Sequence, residues 1–169
     1  MKEPGAINQK VADPDREDLP EGLMVRPVVG SDVPDICRLE QKCFSDPWSE
    51  ASLRHDLTEN PAAHYRTAVL PDGRLIGYIA WWQVAGQAEI INLAVAPEWR
   101  GRRIGRMLLA GMIDEAVRSG ASCIHLEVRE SNRPARRLYD QAGFCQTGIR
   151  AGYYADDHEN AITMLKRLT

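Results

Sequence analysis

Apolar positions along the chain fall into stretches with a helical period and stretches with the two-residue period of strands, separated by turn residues. Residues 1–22, MKEPGAINQKVADPDREDLPEG, have neither period and little to bury, so they are expected to form a disordered extension before a domain spanning 23–169. Residues 23–28 predict a short strand. Val33, Ile36, Leu39 and Cys43 then mark one face of a helix running to about Phe44, with Ser31 or Asp32 as its cap and Pro34 in its first turn. Ser45-Asp46-Pro47-Trp48 breaks that helix, and Ser49 can cap a second one, SEASLRHDLTEN. Residues 65–70 and 75–84 read as strands of a hairpin turning at Pro71-Asp72-Gly73-Arg74, and residues 87–95 as the next strand.

The second half changes rhythm. Residues 103–119 give the clearest amphipathic helix, with Ile104, Met107, Leu108, Gly111, Met112, Glu115 and Ala116 at helical spacing; all but Glu115 suit a packed face. Ser119-Gly120 closes it. A strand over 122–129, a helix over 132–142 ended by Gly143, and strands over 144–150 and 161–168 complete the chain. An antiparallel meander followed by alternating helices and strands predicts an α/β (α+β) domain, a mixed and mostly antiparallel sheet with helices on both faces.

Composition narrows the function classes. The chain of 169 residues is 44% hydrophobic and 27% charged, with a formal net charge of −3, the balance of an ordinary globular protein rather than of one living on nucleic acid. Cys37, Cys43, Cys123 and Cys145 show neither CxxC pairing nor a histidine at metal spacing, and read as reduced thiols; no metal is assigned. No signal peptide or membrane-spanning run is seen, so a cytoplasmic monomer without a membrane partner is expected.

One stretch departs from that balance. Residues 98–106, EWRGRRIGR, place four arginines and two glycines between the strand INLAV and the strongest helix. A strand, a tight turn and a helix N-terminus make an anion site, because the first helical N–H groups lack partners and the dipole end is positive. Gly101 and Gly105 leave room for close backbone approach, and Arg100, Arg102, Arg103 and Arg106 add charge. Plain loops use the same residue types, so the turn alone does not decide. The absence of GxxxxGK[ST], and of GxGxxG in a first βαβ unit, disfavours nucleoside triphosphates and dinucleotides.

NLAVAPEWRGRRIGRMLL resembles the acyl-CoA-binding segment of the GNAT superfamily of N-acetyltransferases, whose pattern is [RQ]xxGx[GA] at a strand-to-helix turn. LEVRESNRPARRLYDQAGF (126–144) is similar to that superfamily's second half, and its LEVRxSN…A…LY…GF is close to the ribosomal-protein-alanine N-acetyltransferase type. FSDPWSE (44–50) and RAGYYADDHENAITM (150–164) match further landmarks of that type. The resemblance implies an acetyl-CoA-dependent enzyme acting on a protein N-terminus, that of a small-subunit ribosomal protein, with no direct nucleic-acid contact. It implies cofactor contacts at Leu93, Ala94, Val95, Arg100, Gly101, Arg102, Arg103, Ile104, Gly105, Arg106, Asn132 and Tyr139. Phe44, Trp48, Tyr153 and Tyr154 would wall the acceptor groove. Two positions depart from the pattern: Arg103 stands where the family usually has its first motif glycine, and Asn160-Ala161 stands where Asp-Ala is common. An arginine at 103 is expected to need ordinary helical backbone angles.

The resemblance gives Glu127 the general-base role and Tyr139 the acid role. In the strand, His125, Glu127 and Arg129 share one face, opposite Ile124, Leu126 and Val128. A surface glutamate paired with Arg129 or another base would look the same, as would a Tyr139 whose hydroxyl is merely wet. Glutamate titrates near ~4.3 and an α-amine near ~7.7–8.0, so proton transfer is uphill, but less so than from a lysine at about 10.4. The oxyanion would meet a backbone N–H at the end of the Leu93–Val95 strand. Glu89 is the reserve base, with a surface ion pair as its ordinary reading, and His55, His64 and His158 read as surface residues. Two other readings keep parts of this evidence: an acetyltransferase for small amines or lysine side chains, and a non-catalytic acyl-CoA or RNA-binding module.

Overall fold

The computed structural model describes residues 19–168. The expected extension lies outside the described residues except for 19–22, where Leu19 already packs on the core and the Pro20 carbonyl accepts from the Leu23 N–H at 3.2 Å. The described chain runs β1 (Met24–Pro27), α1 (Val33–Cys43), α2 (Glu50–Glu59), β2 (Ala63–Val69), β3 (Leu75–Val84), β4 (Gln87–Val95), α3 (Ile104–Arg118), β5 (Cys123–Arg129), α4 (Arg133–Gln141), β6 (Cys145–Arg150) and β7 (Ala161–Arg167). The strands form one sheet in the order β1-β2-β3-β4-β5-β7-β6. All neighbours are antiparallel except β4 and β5, so the mixed, mostly antiparallel class expected from the periodicity is what forms. The insertion of β7 between β5 and β6 is a matter of strand order, which periodicity does not carry.

Helix starts follow local chemistry. Ser49 caps α2 as expected, its hydroxyl accepting from the Ser52 N–H at 3.0 Å. Asp32 precedes α1 but does not cap it. Its backbone is already helical (φ −80°, ψ −18°), whereas a capping side chain needs an extended residue to reach the first amides. Its carboxylate instead accepts from the Val29 N–H at 2.8 Å and from both Arg26 terminal nitrogens at 2.7 and 2.8 Å, which ties β1 to the 3-10 turn before α1.

Two cores sit on the two faces of the sheet. Ile104, Leu108, Leu109 and Met112 of α3 and Tyr139 of α4 cover Ile79, Trp81, Ile90, Ile124, Leu126, Val128 and Ile162. Val33, Ile36 and Leu39 of α1 and Leu53 of α2 cover Tyr65, Tyr78, Ala80 and Ala94. Glu115, the odd residue in the α3 stripe, forms an ion pair with Arg66 of β2. Gly77 lets α3 come this close to β3: a Cβ there would stand 3.0 Å from the Ala94 carbonyl oxygen and 3.2 Å from Leu108 Cδ1. On the second face α1 and α2 pack over β2, β3 and β4. Beside them an open groove of about 580 Å³ runs over β4, β5, β7 and β6, lined by Trp82, Glu89, His125, Glu127, Thr147 and Thr163 among others.

Candidate functional site

Strands β4 and β5 are paired only from Gln87–Cys123 to Ile90–Leu126. Beyond that point β4 continues to Val95 along β3, and β5 continues to Arg129 along β7, so the two strands part and leave a wedge in the sheet. A bulge between Ala80 and Trp81 leaves Ile91 without a β3 partner where the parting begins. Among the residues expected at the cofactor, Ala94 is buried in the second core, while Leu93 and Val95 pack against the first.

The arginine turn closes the wide end of this wedge. After β4 the chain makes a 3-10 turn at Pro97–Trp99, then reaches α3 through Gly101 (φ +78°) and Arg103 (φ 59°, ψ 6°). Arg103 thus lies in the left-handed region, contrary to the expectation of helical angles. That conformation is open to glycine at no steric cost, which is why a glycine suits this motif position. No side chain caps α3 among the described residues, so its first amides point into the turn. Arg100 is folded back, its Nε donating to the Val95 carbonyl at 3.0 Å, and the Arg102 guanidinium lies 4.8 Å from the centre of the Trp99 ring. Ile104 is buried, and Arg106 follows in the first turn of α3. A Cβ on Gly105 would meet Val95 Cγ2 at 3.7 Å and Leu138 Cδ2 at 3.6 Å, so the end of β4, the start of α3 and α4 converge here.

Glu127 is the first residue of β5 beyond the last β4 pairing, and its side chain, 21% exposed, lines the groove. Its ion-pair partner is Arg150 of β6, not Arg129. The Arg150 guanidinium also lies 4.5 Å from the Tyr153 ring centre, and the approach of Tyr153 to Glu127, with burial second, raises the tyrosine pKa. Glu89 stays exposed, opposite His125 in the β4–β5 register, and makes no ion pair among the described residues. His64 is not a plain surface residue: it stacks on Trp81 at 5.2 Å.

Arg129 takes a different role. It bonds Asp156, Asp157 and Glu159 of the β6–β7 loop, and its guanidinium lies 3.9 Å from the Tyr154 ring centre. Ser45 of the α1–α2 link donates to Asp156 and accepts from Arg129, at 2.5 and 3.2 Å, so the two loops carrying Phe44, Trp48, Tyr153 and Tyr154 are fastened to each other. Phe44 and Trp48 are half-buried against the second core, and Tyr153 meets Tyr154 edge-on at 5.2 Å. Asn160 accepts from the Gly152 N–H and donates to Glu130, both at 3.0 Å; an aspartate there would set two carboxylates face to face. Asn132 caps α4, accepting from the Ala135 N–H at 3.2 Å. Tyr139 is 6% exposed and edge-on to Phe144 at 5.6 Å, not a wet residue at the core edge. Burial foremost, then the neighbouring Tyr154, pushes its hydroxyl pKa up.

Sequence reasoning missed two groups. Trp82 lines the groove with its indole N–H donated to Asp56 at 3.1 Å; as half of a double tryptophan in a strand it carried no signal beyond core packing. Glu40 is a fully buried carboxylate on α1, recognisable in retrospect only by its place four residues after Ile36 on the apolar stripe.

The family model for the acetyltransferase (GNAT) family matches residues 33–144, and the chain belongs to that family. Acetyltransferases of this family take their acetyl group from acetyl-CoA. Among its relatives, a Salmonella typhimurium protein named ribosomal protein bS18-alanine N-acetyltransferase is 35% identical over 136 residues, 79% of this chain and 90% of that one. A Bacillus subtilis protein, described provisionally by the same activity, is 39% identical over 133 residues, 79% of this chain and 87% of its own length. The crystal structure of the ribosomal-protein-S18-alanine N-acetyltransferase from Escherichia coli superimposes with a TM-score of 0.80 at 29% identity, covering 87% of this chain and 94% of that one.

Proposed function

We propose that this enzyme moves the acetyl group of acetyl-CoA to the N-terminal α-amine of a protein, with the N-terminal alanine of ribosomal protein bS18 as its acceptor, in the cytoplasm. The observation that carries the reading is the position of Glu127. It stands where β4 and β5 part, between an open groove and a wedge that ends at the arginine-glycine turn before α3. The names of the relatives support the choice of acceptor.

The residues present fit acetyl-CoA. The amides of Ile104, Gly105 and Arg106, with the positive end of the α3 dipole and the charges of Arg100, Arg102, Arg103 and Arg106, would hold its phosphates. The unpaired edge of β4 over 91–95 would lie along its arm, and Asn132 and Tyr139 would approach it from α4. When bound, the group supplies an activated acetyl carbonyl. A backbone N–H of β4 near Leu93–Val95 would stabilise charge on that carbonyl's oxygen.

Glu127 acts as the base. The arriving α-ammonium competes with Arg150 for the carboxylate; Arg150 is 57% exposed and free to swing into solvent. Whatever the base, an α-ammonium at ~7.7–8.0 gives up its proton more easily than a lysine at about 10.4, by roughly 2.5 pKa units or about 3.5 kcal/mol. That difference favours an N-terminal acceptor. Tyr139, whose burial holds it protonated, delivers a proton to the leaving sulfur. Phe44, Trp48, Tyr153 and Tyr154 would flank the first acceptor residues. The test is a panel of hexapeptides with acetyl-CoA: an Ala-starting bS18 peptide is expected to be acetylated well above a blocked lysine peptide and a polyamine. Faster transfer to the lysine or the polyamine would overturn the reading.

A further inference from the structure

Glu40 has no part in the chemistry above, yet it is 0% exposed in the second core. Among the described residues it makes no ion pair; its two oxygens are met by three neutral donors. Oε1 accepts from the Tyr78 hydroxyl and from Asn92 Nδ2 at 3.2 Å, and Oε2 accepts from the Trp48 backbone N–H at 2.8 Å. Asn92 Nδ2 also donates to the Tyr78 hydroxyl oxygen at 3.2 Å, closing the network. Burial pushes the Glu40 carboxyl pKa up, against the pull of these three donors.

Each donor belongs to a different part of the site. Trp48 lies in the link between α1 and α2 that carries the acceptor wall. Asn92 lies on β4 just beyond its last pairing with β5, beside the bulge at Ala80 and Trp81. Tyr78 lies on β3 beneath both. A leucine of similar size would fill this space without burying a charge, so what the carboxylate adds is direction: it fixes the height of the link over the strand. We propose that Glu40 is a positioning residue for the acceptor, holding the Phe44–Trp48 wall in register with β4 so that the amine meets Glu127 in line with the acetyl site. This inference rests on the acceptor groove assigned above.

Glu40→Gln keeps the size and one acceptor oxygen but turns an N–H₂ toward Trp48 or toward the Tyr78–Asn92 pair. The expected result is a KM for the Ala-starting peptide raised about tenfold, with acetyl-CoA affinity by titration unchanged within about twofold. An equal loss for both substrates, or for neither, would overturn the proposal. Amide exchange on the wild-type chain supplies a second test whether or not the variant folds. The Trp48 amide is expected to be protected like those of α1, and exchange as fast as that of Asp46 would overturn the network's role. A wild-type chain that transfers nothing to the peptide would count against the acceptor reading alone, and the exchange result would still judge Glu40.

Discussion

Arg103 offers the sharpest test of the turn that closes the wedge. Its φ of 59° and ψ of 6° place an L-residue with a Cβ in the left-handed region, which costs about 1–2 kcal/mol relative to glycine. Replacing it by glycine releases that strain but gives back about 0.4–1 kcal/mol through the freer unfolded chain. Set against alanine at the same position, glycine is therefore worth about 0.5–1 kcal/mol, or a Tm higher by about 1–4 °C for a chain of this size. Replacing Arg103 also removes a positive charge from the positive end of α3, worth a few tenths of a kcal/mol more. Arg103→Ala separates the two causes, because alanine loses the charge and keeps the strain. Thermal unfolding of both variants and the wild type is the assay. The glycine variant should melt about 1–4 °C above the alanine variant, and both should weaken acetyl-CoA binding by the same small factor. An alanine variant as stable as the glycine variant would refute the strained turn.

Three further outcomes follow from the same geometry. Gly101→Ala puts a Cβ at φ +78° in open space, so strain without a clash should cost about 1 kcal/mol in thermal unfolding, with a raised KM for acetyl-CoA. Gly77→Ala drives a Cβ against the Ala94 carbonyl and Leu108, and denaturant unfolding should show a loss of about 1–3 kcal/mol as α3 is pushed off β3. Hydrogen bonding from Arg26 holds the Asp32 carboxyl below its usual range. A carboxyl depressed in the folded state adds stability that is full above about pH 4 and is lost as pH falls through its folded value. Asp32→Asn should therefore cost about 1 kcal/mol or less at pH 7, given the partly exposed Arg26, and melts at decreasing pH should show the gap to wild type narrowing once the pH falls below the ordinary aspartate value of about 4.

Much of the fold was legible because short-range chemistry decides it. Pro71-Asp72-Gly73-Arg74 fixes a hairpin wherever it stands between two β-rich runs, and Ser49 caps a helix whatever lies beyond. The same reasoning failed at Asp32, whose backbone is already helical and whose carboxylate is taken by Arg26 of β1, six residues earlier, instead of by the first amides of the helix. Strand order was not read from the period of either strand, although β7 (AITMLKR) is the more apolar and buried and lies inside the sheet, while β6 (CQTGIR) is polar, exposed and at its edge. At the site, the alternation of β5 placed His125, Glu127 and Arg129 on one face, but not which cation each acid meets. Glu127 is separated from Arg150 by 23 positions, and Arg129 from Asp156 by 27. Glu40 was passed over because its donors come from the α1–α2 link, β3 and β4, although its place four residues after Ile36 put it on the buried face of α1.

The central claim is that Glu127 directs acetyl transfer to an N-terminal α-amine. The most direct measurement is mass-spectrometric location of the acetyl group on an Ala-starting peptide that also carries an internal lysine, using wild type and Glu127→Gln side by side. The account predicts one acetyl group on the α-amine with the wild type and transfer lowered at least ~100-fold in the variant, with acetyl-CoA binding retained. Acetylation of the lysine, or equal turnover by the variant, would contradict it.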